Sequence, residues 1–285
     1  MKLKIGHCQL ACAAGDYEAN LGKVLAGLEE AASENVDILS FPECFLTGYY
    51  RRGEDARAHS FEIDGPEVEH LLRRTARYPS TFIVGLNETR GTDLYNTVLM
   101  AREGRLLGTY SKAFPVVDYF TPGRAFPVFE CKGVPYGVIV CADGAYIEPS
   151  RILALKGARI LFAPHYNNIA AGALINHLFK VRADHVARAA ENGVWFLRGN
   201  NVQSVSDGEV FPDAIGYGES YLLDPFGEVV ARSQRHEEGT FTAMIDVREY
   251  TWQEKPFFAS GRRESLRSAR ALTDVYLQTL RETGE

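Results

Sequence analysis

The hydrophobic residues of this chain fall into two alternating patterns. Short apolar runs, each closed by polar residues or proline, are typical of strands buried on both faces. These runs occupy residues 37–43, 81–88, 136–143, 158–167 and 194–201. Around them, apolar residues spaced three or four apart predict amphipathic helices. The helices occupy residues 17–34, 66–78, 148–157 and 173–192. Strands that alternate with helices predict an α/β layered domain.

The remaining patterns complete this prediction. Two glycine-containing stretches, 94–112 and 218–233, predict antiparallel hairpins, so the sheets are expected to be mixed. No Pro/Ser-rich linker interrupts residues 1–250, which we interpret as one domain. A last helix is predicted over 264–281. It belongs to a C-terminal arm, residues 251–285, that we expect to pack on the domain or on a partner subunit.

The charge and hydropathy of the chain argue against two classes of partner. Its 285 residues carry 31 Lys and Arg against 37 Asp and Glu, a net charge of −6 without large charged blocks. Binding to nucleic acid needs a basic surface, so we expect no nucleic-acid partner. No apolar run approaches the roughly 18 residues that span a bilayer, and the start of the chain soon turns polar. We therefore expect a cytoplasmic protein without membrane contact.

The five cysteines stand at irregular spacing and are expected to be free thiols. Cys8 and Cys12 are spaced like the first half of a metal site, but no second Cys or His pair follows at the spacing of a zinc finger. The sequence therefore predicts no metal ion.

Cys141 stands at the end of the most strand-like run. The residues YGVIV precede it, and Ala142, Asp143 and Gly144 follow it ahead of a predicted helix. A strand, a tight turn and a helix would present the thiol beside free backbone N–H groups, which can bind an oxyanion. Free cysteine is also among the most buried residue types. The residues alone therefore leave open a nucleophile or an inert core thiol.

Glu43 and Lys112 carry further candidate chemistry. Glu43 follows a buried run, where a partly desolvated carboxylate is suited to act as a base. The alternative for Glu43 is a solvated or helix-capping glutamate. Lys112 lies in the segment TYSKAF, and a lone lysine is usually a surface charge.

Together these residues lie in segments that resemble the nitrilase, or carbon-nitrogen hydrolase, superfamily. The resemblance covers residues 3–247 and places Glu43, Lys112 and Cys141 in the family's order. The matching segments are GDYEAN to VDILSFPECFLTGYY (15–50), YNTVLM to YSKAF (95–114), FTPG (120–123), GVIVCAD (137–143), RILALKGARILFAPHYN (151–167), RAAEN (188–192) and GESYLLDPFGEVVA (218–231).

The resemblance implies a four-layer α-β-β-α sandwich with mixed sheets, paired through its helices into a homodimer or a higher homo-oligomer. It also implies a triad in which Cys141 attacks an amide carbonyl and Glu43 acts as the base. Lys112 and the N–H of Ala142 would bind the oxyanion, because an amide is a poor electrophile and needs such donors. No metal or organic cofactor is required by this chemistry.

The chain departs from the family pattern at two places. Many family amidases carry a second glutamate after the lysine, whereas Asp118 is the only carboxylate here; it either orients the substrate amide or pairs with Lys112. Ala142 follows Cys141, where true nitrilases commonly have tryptophan, and this favours amide over nitrile substrates. Further substrate-binding candidates flank the ends of the predicted strands. They are Tyr49, Tyr119, Tyr146, His165 and Asn167.

The sequence thus predicts a cysteine-dependent hydrolase of a small linear amide or N-carbamoyl compound, acting through a thioester. A rival mechanism pairs Cys141 with His165 as thiol and imidazole. A protein of another class, with the same fold but without catalysis, and a protein that transfers the acyl group to an amine are the alternatives.

Overall fold

The described part of the chain comprises residues 1–203, 213–248 and 262–283 of a computed structural model and contains six α-helices and fourteen strands. The helices are α1 (Tyr17–Ser33), α2 (Gly53–Ala58), α3 (Pro66–Thr75), α4 (Ile147–Leu155), α5 (Leu174–Asn192) and α6 (Arg262–Thr283). The first seven strands are β1 (Lys2–Gln9), β2 (Ile38–Ser40), β3 (Thr81–Arg90), β4 (Asp93–Arg102), β5 (Arg105–Ser111), β6 (Val128–Cys131) and β7 (Val134–Val138). The last seven are β8 (Ile160–Pro164), β9 (Asn168–Ala170), β10 (Trp195–Gly199), β11 (Ala214–Gly216), β12 (Tyr221–Leu223), β13 (Val229–Arg232) and β14 (Gly239–Asp246).

Twelve of these strands build two six-stranded sheets. The first sheet has the order β14-β1-β2-β3-β4-β5, and the second has the order β13-β12-β10-β8-β7-β6. In each sheet the central pairs are parallel and the outer pairs are antiparallel. The prediction of mixed sheets is confirmed.

Each sheet is buried on both faces, which explains why its central strands read as continuous apolar runs. The two sheets pack against each other through a core that draws on Ile5, Ile83, Val138, Phe162 and Leu197. The outer face of the first sheet is covered by α1 and α3, and that of the second sheet by α4 and α5. The layers are therefore α-β-β-α, as the family resemblance implies.

Local signals set the ends of the helices. The Asp16 carboxylate accepts a hydrogen bond from the Ala19 N–H and caps α1. Pro66 occupies the first turn of α3, where the missing N–H costs nothing. Gly193 caps the C-terminus of α5, and its φ of +59° suits glycine.

The C-terminal helix α6 contacts the layer that contains α4 and α5. The Tyr276 hydroxyl lies 3.4 Å from Glu148 Oε1 at the start of α4. Residues 251–261 of the predicted arm lie outside the described residues, so the division at residue 250 stays a prediction. Within the described part of the chain, the helices are too short or too polar to cross a membrane. All five cysteines are free thiols.

Candidate active site

Three loops that follow β2, β5 and β7 bring the predicted triad together. Glu43 lies three residues beyond the end of β2, and Lys112 directly follows β5. Cys141 opens a 3₁₀ turn, Cys141–Ala145, between β7 and α4. The two sheets face each other, so residues distant in the sequence meet at one end of the sandwich.

The carboxylate of Glu43 is held by three donors. Lys112 Nζ donates to its Oε1 at 2.7 Å and Asn96 Nδ2 donates to the same atom at 2.6 Å. The Tyr166 N–H donates to Oε2 at 2.9 Å. The side chains of Glu43 and Lys112 are fully buried. Burial is the largest single influence and opposes the charged form of Lys112, but Glu43, Cys141 and other nearby acidic groups together outweigh it and keep the lysine pKa well above its ordinary value.

The backbone at Cys141 is strained. Its φ is +49°, which a residue with a Cβ rarely adopts and which bends the chain sharply at this thiol. Burial raises the pKa of the thiol to about 12; the negative charge of Glu43 and the hydrogen bond to it also raise the pKa, and the charge of Lys112 acts in the opposite sense. At neutral pH the sulfur therefore carries its proton next to a carboxylate that can take it.

The carboxylate of Asp143 stabilises this turn through three hydrogen bonds. Its carboxylate accepts hydrogen bonds from the Val140 N–H at 2.9 Å, the Tyr110 hydroxyl at 2.7 Å and the Phe114 N–H at 2.8 Å. Burial raises its pKa, although these donors and the charge of Lys112 oppose the shift. The bonds tie the turn of Cys141 to the strand that precedes Lys112.

Asn167 points its amide nitrogen at the thiol. Asn167 Nδ2 lies 3.5 Å from Cys141 Sγ. Its Oδ1 accepts a hydrogen bond from Arg198 Nη2 at 2.7 Å and another from the Tyr217 hydroxyl at 3.4 Å. Because Arg198 can only donate, this contact fixes which end of the amide faces the sulfur.

His165 has a different environment from the one the rival mechanism needs. Its Nδ1 lies 2.7 Å from the Ala163 carbonyl oxygen, so Nδ1 donates and the ring is held in one tautomer. Burial and the positive charge of Arg198 keep its pKa well below the ordinary value. Within the described residues His165 makes no hydrogen bond to Cys141, whereas Glu43 does.

A cavity of about 450 Å³ opens beside the triad. Four of the predicted substrate-binding residues line it together with Glu43, Lys112 and Cys141; they are Tyr49, Ala142, His165 and Asn167. The volume lies in the range of small-molecule sites.

Three other predicted residues lie elsewhere. The side chain of Asp118 is exposed and is not part of the cavity lining. The Tyr119 hydroxyl donates to the Tyr50 carbonyl oxygen, away from the cavity. Tyr146 is 45% exposed and stacks on Phe114, with ring centroids 3.8 Å apart. The structure therefore does not bring these side chains to the triad.

Sequence reasoning missed Asn96, Asp143 and Arg198. Asn96 and Arg198 are polar residues within apolar strands, β4 and β10, and both are almost completely buried. A polar or charged residue inside an apolar run was the available signal, because such residues are rarely buried without a partner. Among the described residues, no group of three or more His, Cys, Asp or Glu is arranged to hold a metal ion.

Comparison with known proteins identifies the family. The model of the carbon-nitrogen hydrolase family matches residues 4–253. A 2-oxoglutaramate amidase of Bacillus subtilis (strain 168) is 31% identical over 257 residues, which cover 87% of this chain and 93% of the relative. The structure of a carbon-nitrogen hydrolase from Helicobacter pylori G27 superposes with a TM-score of 0.80 at 21% identity, covering 90% of this chain and 94% of the other.

A second solved structure contains a covalent adduct in its own active site. An amidase mutant from Nesterenkonia sp. AN1 superposes with a TM-score of 0.70 at 20% identity, covering 90% of this chain and 94% of the other. That protein carries the acetamide moiety of fluoroacetamide covalently added at its active-site cysteine. From the family match over most of its length, the chain belongs to the carbon-nitrogen hydrolase family.

Proposed function

We propose that this protein hydrolyses the C–N bond of small linear amides or N-carbamoyl compounds through a thioester on Cys141. The observation that carries the proposal is the meeting of Glu43, Lys112 and Cys141 at one cavity, with a buried 2.7 Å ion pair between the first two. The amidase activity in the name of the Bacillus subtilis relative and the cysteine adduct of the Nesterenkonia amidase support the same chemistry.

In the first half of the reaction the sulfur attacks the amide carbon. Glu43 takes the thiol proton as the S–C bond forms, which avoids a free thiolate in a site where the Cys141 pKa is about 12. Lys112 and the Ala142 N–H donate to the developing oxyanion. Glu43 then returns the proton to the leaving nitrogen, the C–N bond breaks, and ammonia or an amine departs.

In the second half water replaces the leaving group. Glu43 takes a proton from the water as its oxygen attacks the thioester carbon, and the same two donors hold the second oxyanion. The C–S bond breaks, the proton returns to the sulfur and the acid leaves. Asn167, held by Arg198, keeps an N–H directed at the sulfur during both halves.

Mass spectrometry of the intact protein, after brief mixing with a panel of small amides, tests the proposal. We expect a mass increase equal to one acyl group, located on Cys141, together with release of free acid. Cys141→Ala and Lys112→Ala should be folded and should form no adduct. Cys131→Ala is the matched control, because this buried thiol lies outside the cavity, and it should acylate like the wild type.

Two results would contradict the proposal. If no amide leaves an adduct and none is hydrolysed, the protein is a non-catalytic member of the family. If the adduct forms but the acyl group appears only on an added amine and never as free acid, the protein is a transferase.

A further inference from the structure

Asn167 is held by four buried partners before any substrate arrives. Its backbone N–H lies 3.1 Å from Asn200 Oδ1 and 2.9 Å from Asn201 Oδ1, on the residues that directly follow β10. Its side-chain oxygen accepts hydrogen bonds from Arg198 and Tyr217. All four partners are almost completely buried. The fold therefore fixes the place of this side chain independently of a ligand.

Arg198 is a buried cation among uncharged groups. It is 1% exposed, and its Nη1 donates to the carbonyl oxygens of Gly218 at 3.1 Å and Glu219 at 2.7 Å. Its Nη2 donates to Asn167 Oδ1 and to the Tyr217 hydroxyl, both at 2.7 Å. All of these acceptors are uncharged, and a buried charge without a counter-ion is costly. Arginine at this position therefore calls for a role that an apolar residue could not fill.

That role is visible in the orientation of the Asn167 amide. A guanidinium has only donors, so Arg198 pairs with the amide oxygen and repels the amide N–H. The Tyr217 hydroxyl both donates and accepts, and a thiol such as Cys141 does so weakly, so neither of these neighbours distinguishes the two ends of the amide. Of the three neighbours, Arg198 alone excludes the orientation that places the amide oxygen against the sulfur.

The contact between Asn167 Nδ2 and Cys141 Sγ, at 3.5 Å, gains strength during the reaction. In the resting thiol the sulfur is uncharged and is a weak acceptor. It gains negative charge as Glu43 takes its proton, and again as the C–S bond of the thioester breaks. A hydrogen bond to a charged acceptor is about twice as strong as one to a neutral acceptor. An interaction that is stronger in the transition state than in the ground state accelerates the reaction.

We propose that Asn167 is a further catalytic residue, whose side-chain N–H stabilises the charge that develops on Cys141 Sγ. Arg198 is its positioning residue, because it keeps the N–H rather than the amide oxygen on the sulfur. The effect on turnover rests on the proposed function, whereas the effect on the free thiol rests on the geometry alone. The proposal adds a donor on the sulfur to the two donors, Lys112 and the Ala142 N–H, that the proposed mechanism assigns to the oxyanion.

The rate at which methyl methanethiosulfonate labels Cys141 tests the contact without any turnover. This probe is small, uncharged and lacks an amide, so it reports on the thiolate rather than on substrate binding. Asn167→Leu keeps the size of the side chain and removes the N–H. The thiolate fraction should fall about tenfold and the thiolate should become more nucleophilic, so labelling at pH 8 should slow about threefold. Mass spectrometry of the Cys141 peptide follows the labelling.

The direction of the change separates three roles of Asn167. If the residue only supported the turn, its removal would make Cys141 more accessible and labelling would become faster. If the residue only bound substrate, labelling would not change. Either result would overturn the contact with the sulfur, even where turnover of an amide is lowered.

Rescue and a double-mutant cycle test Arg198. Arg198→Met lets the amide turn over, so labelling should slow as in Asn167→Leu and kcat should fall about 10–10²-fold with little change in KM. Arg198→Lys keeps a cation that only donates and should restore most of both rates. The double variant should be no slower than the slower single variant, because Arg198 acts through the amide. A slower double variant, or a lysine that rescues nothing, would overturn the positioning role.

Two further variants complete the design. Asn167→Asp keeps an oxygen for Arg198 and places a second oxygen against the sulfur, so it should label more slowly than Asn167→Leu. This comparison decides the contact even if Arg198→Met does not fold, and labelling at the wild-type rate would contradict the proposal. Arg182→Met is the matched control, because Arg182 lies over an aromatic ring, that of Tyr221 at 5.0 Å, but outside the cavity lining. It should leave both rates unchanged.

The two proposals fail in different ways. If the wild type hydrolyses amides and Asn167→Leu labels like the wild type, the contact with the sulfur is wrong and the hydrolase proposal is unaffected. If the wild type hydrolyses no amide and the variants still slow labelling as expected, the hydrolase proposal is wrong and the contact is unaffected.

Discussion

At the scale of single residues, the proton on Cys141 decides how the site reacts. The pKa of the thiol is raised to about 12 by burial and by Glu43, so the thiolate fraction should rise about tenfold per pH unit between pH 7 and pH 10. The rate of alkylation by iodoacetamide, followed by mass spectrometry of the Cys141 peptide, should rise with the same slope. A plateau near pH 7 would contradict the assigned pKa direction.

Glu43→Gln separates the charge of this residue from its role as a base. The change removes the negative neighbour but leaves Lys112, so the pKa of Cys141 should fall and alkylation at pH 7 should become faster. Amide hydrolysis should nevertheless drop by at least 10²-fold, because no group then takes the thiol proton. Loss of both reactivities together would mean that Glu43 only holds the fold.

The Tyr49 hydroxyl gives a second test at this scale. It is buried at the cavity and has no hydrogen-bond partner in the described residues, whereas the ring stacks on Tyr166. If the substrate amide is the missing partner, Tyr49→Phe should lower kcat/KM about tenfold without lowering the melting temperature. Tyr136→Phe removes another buried, unpartnered hydroxyl, between the sheets, and is the matched control. Equal kinetics of both variants would exclude the contact.

Single residues could be predicted from the sequence where they lie in a recognisable motif. They could not be predicted where their role depends on a contact with a residue distant in the sequence. Glu43, Lys112 and Cys141 stand in recognisable segments. The role of Asn96 is to hold the Glu43 carboxylate, and it depends on a contact between residues 53 positions apart that no local pattern encodes. Arg198 likewise acquires its role only when β10 places it behind Asn167.

At the scale of elements, the turn at Cys141 depends on Asp143. Asp143→Ala leaves two buried donors and one part-buried donor without an acceptor and should lower the free energy of unfolding by about 2–4 kcal/mol, measured by urea denaturation. The rate of amide hydrolysis should fall by more than the loss of folded protein accounts for, because the turn positions the thiol. Asp118→Ala changes an exposed carboxylate and should alter stability by less than about 0.5 kcal/mol.

The apolar pattern predicted where strands lie better than where they end. The run 37–43 contains β2, which spans only Ile38–Ser40, and the run 158–167 contains β8, Ile160–Pro164. The chain beyond each strand stays buried because it forms the site, so its apolar residues continue the pattern without continuing the sheet. β14 was not predicted, because its mixed residues become a strand only by pairing with β1 at the other end of the chain.

At the scale of the whole molecule, one surface bears on assembly. On α5, Ile175 is 62% exposed and Phe179 is 75% exposed, one turn apart on the same face. Apolar side chains exposed together mark interaction surfaces, and the resemblance to the family implies pairing through the helices. We therefore expect a homodimer or a higher homo-oligomer in which this face is covered.

Light scattering coupled to gel filtration tests this expectation. Phe179→Glu should give the mass of a monomer where the wild type gives an oligomer, because a charge cannot be buried there cheaply. Leu107→Glu, at an exposed apolar position on the edge strand β5, should leave the mass unchanged. A wild-type monomer would rule out the assembly.

Because the backbone of Cys141 is left-handed, keeping a thiol at this position lowers the stability of the protein. Glycine would relieve roughly 1 kcal/mol of conformational cost at a φ of +49°, so Cys141→Gly should melt at a higher temperature than Cys141→Ala, while neither variant carries the thiol. A cysteine codon becomes a glycine codon by one base change. One mutational step at this position would therefore exchange the thiol for a gain in stability.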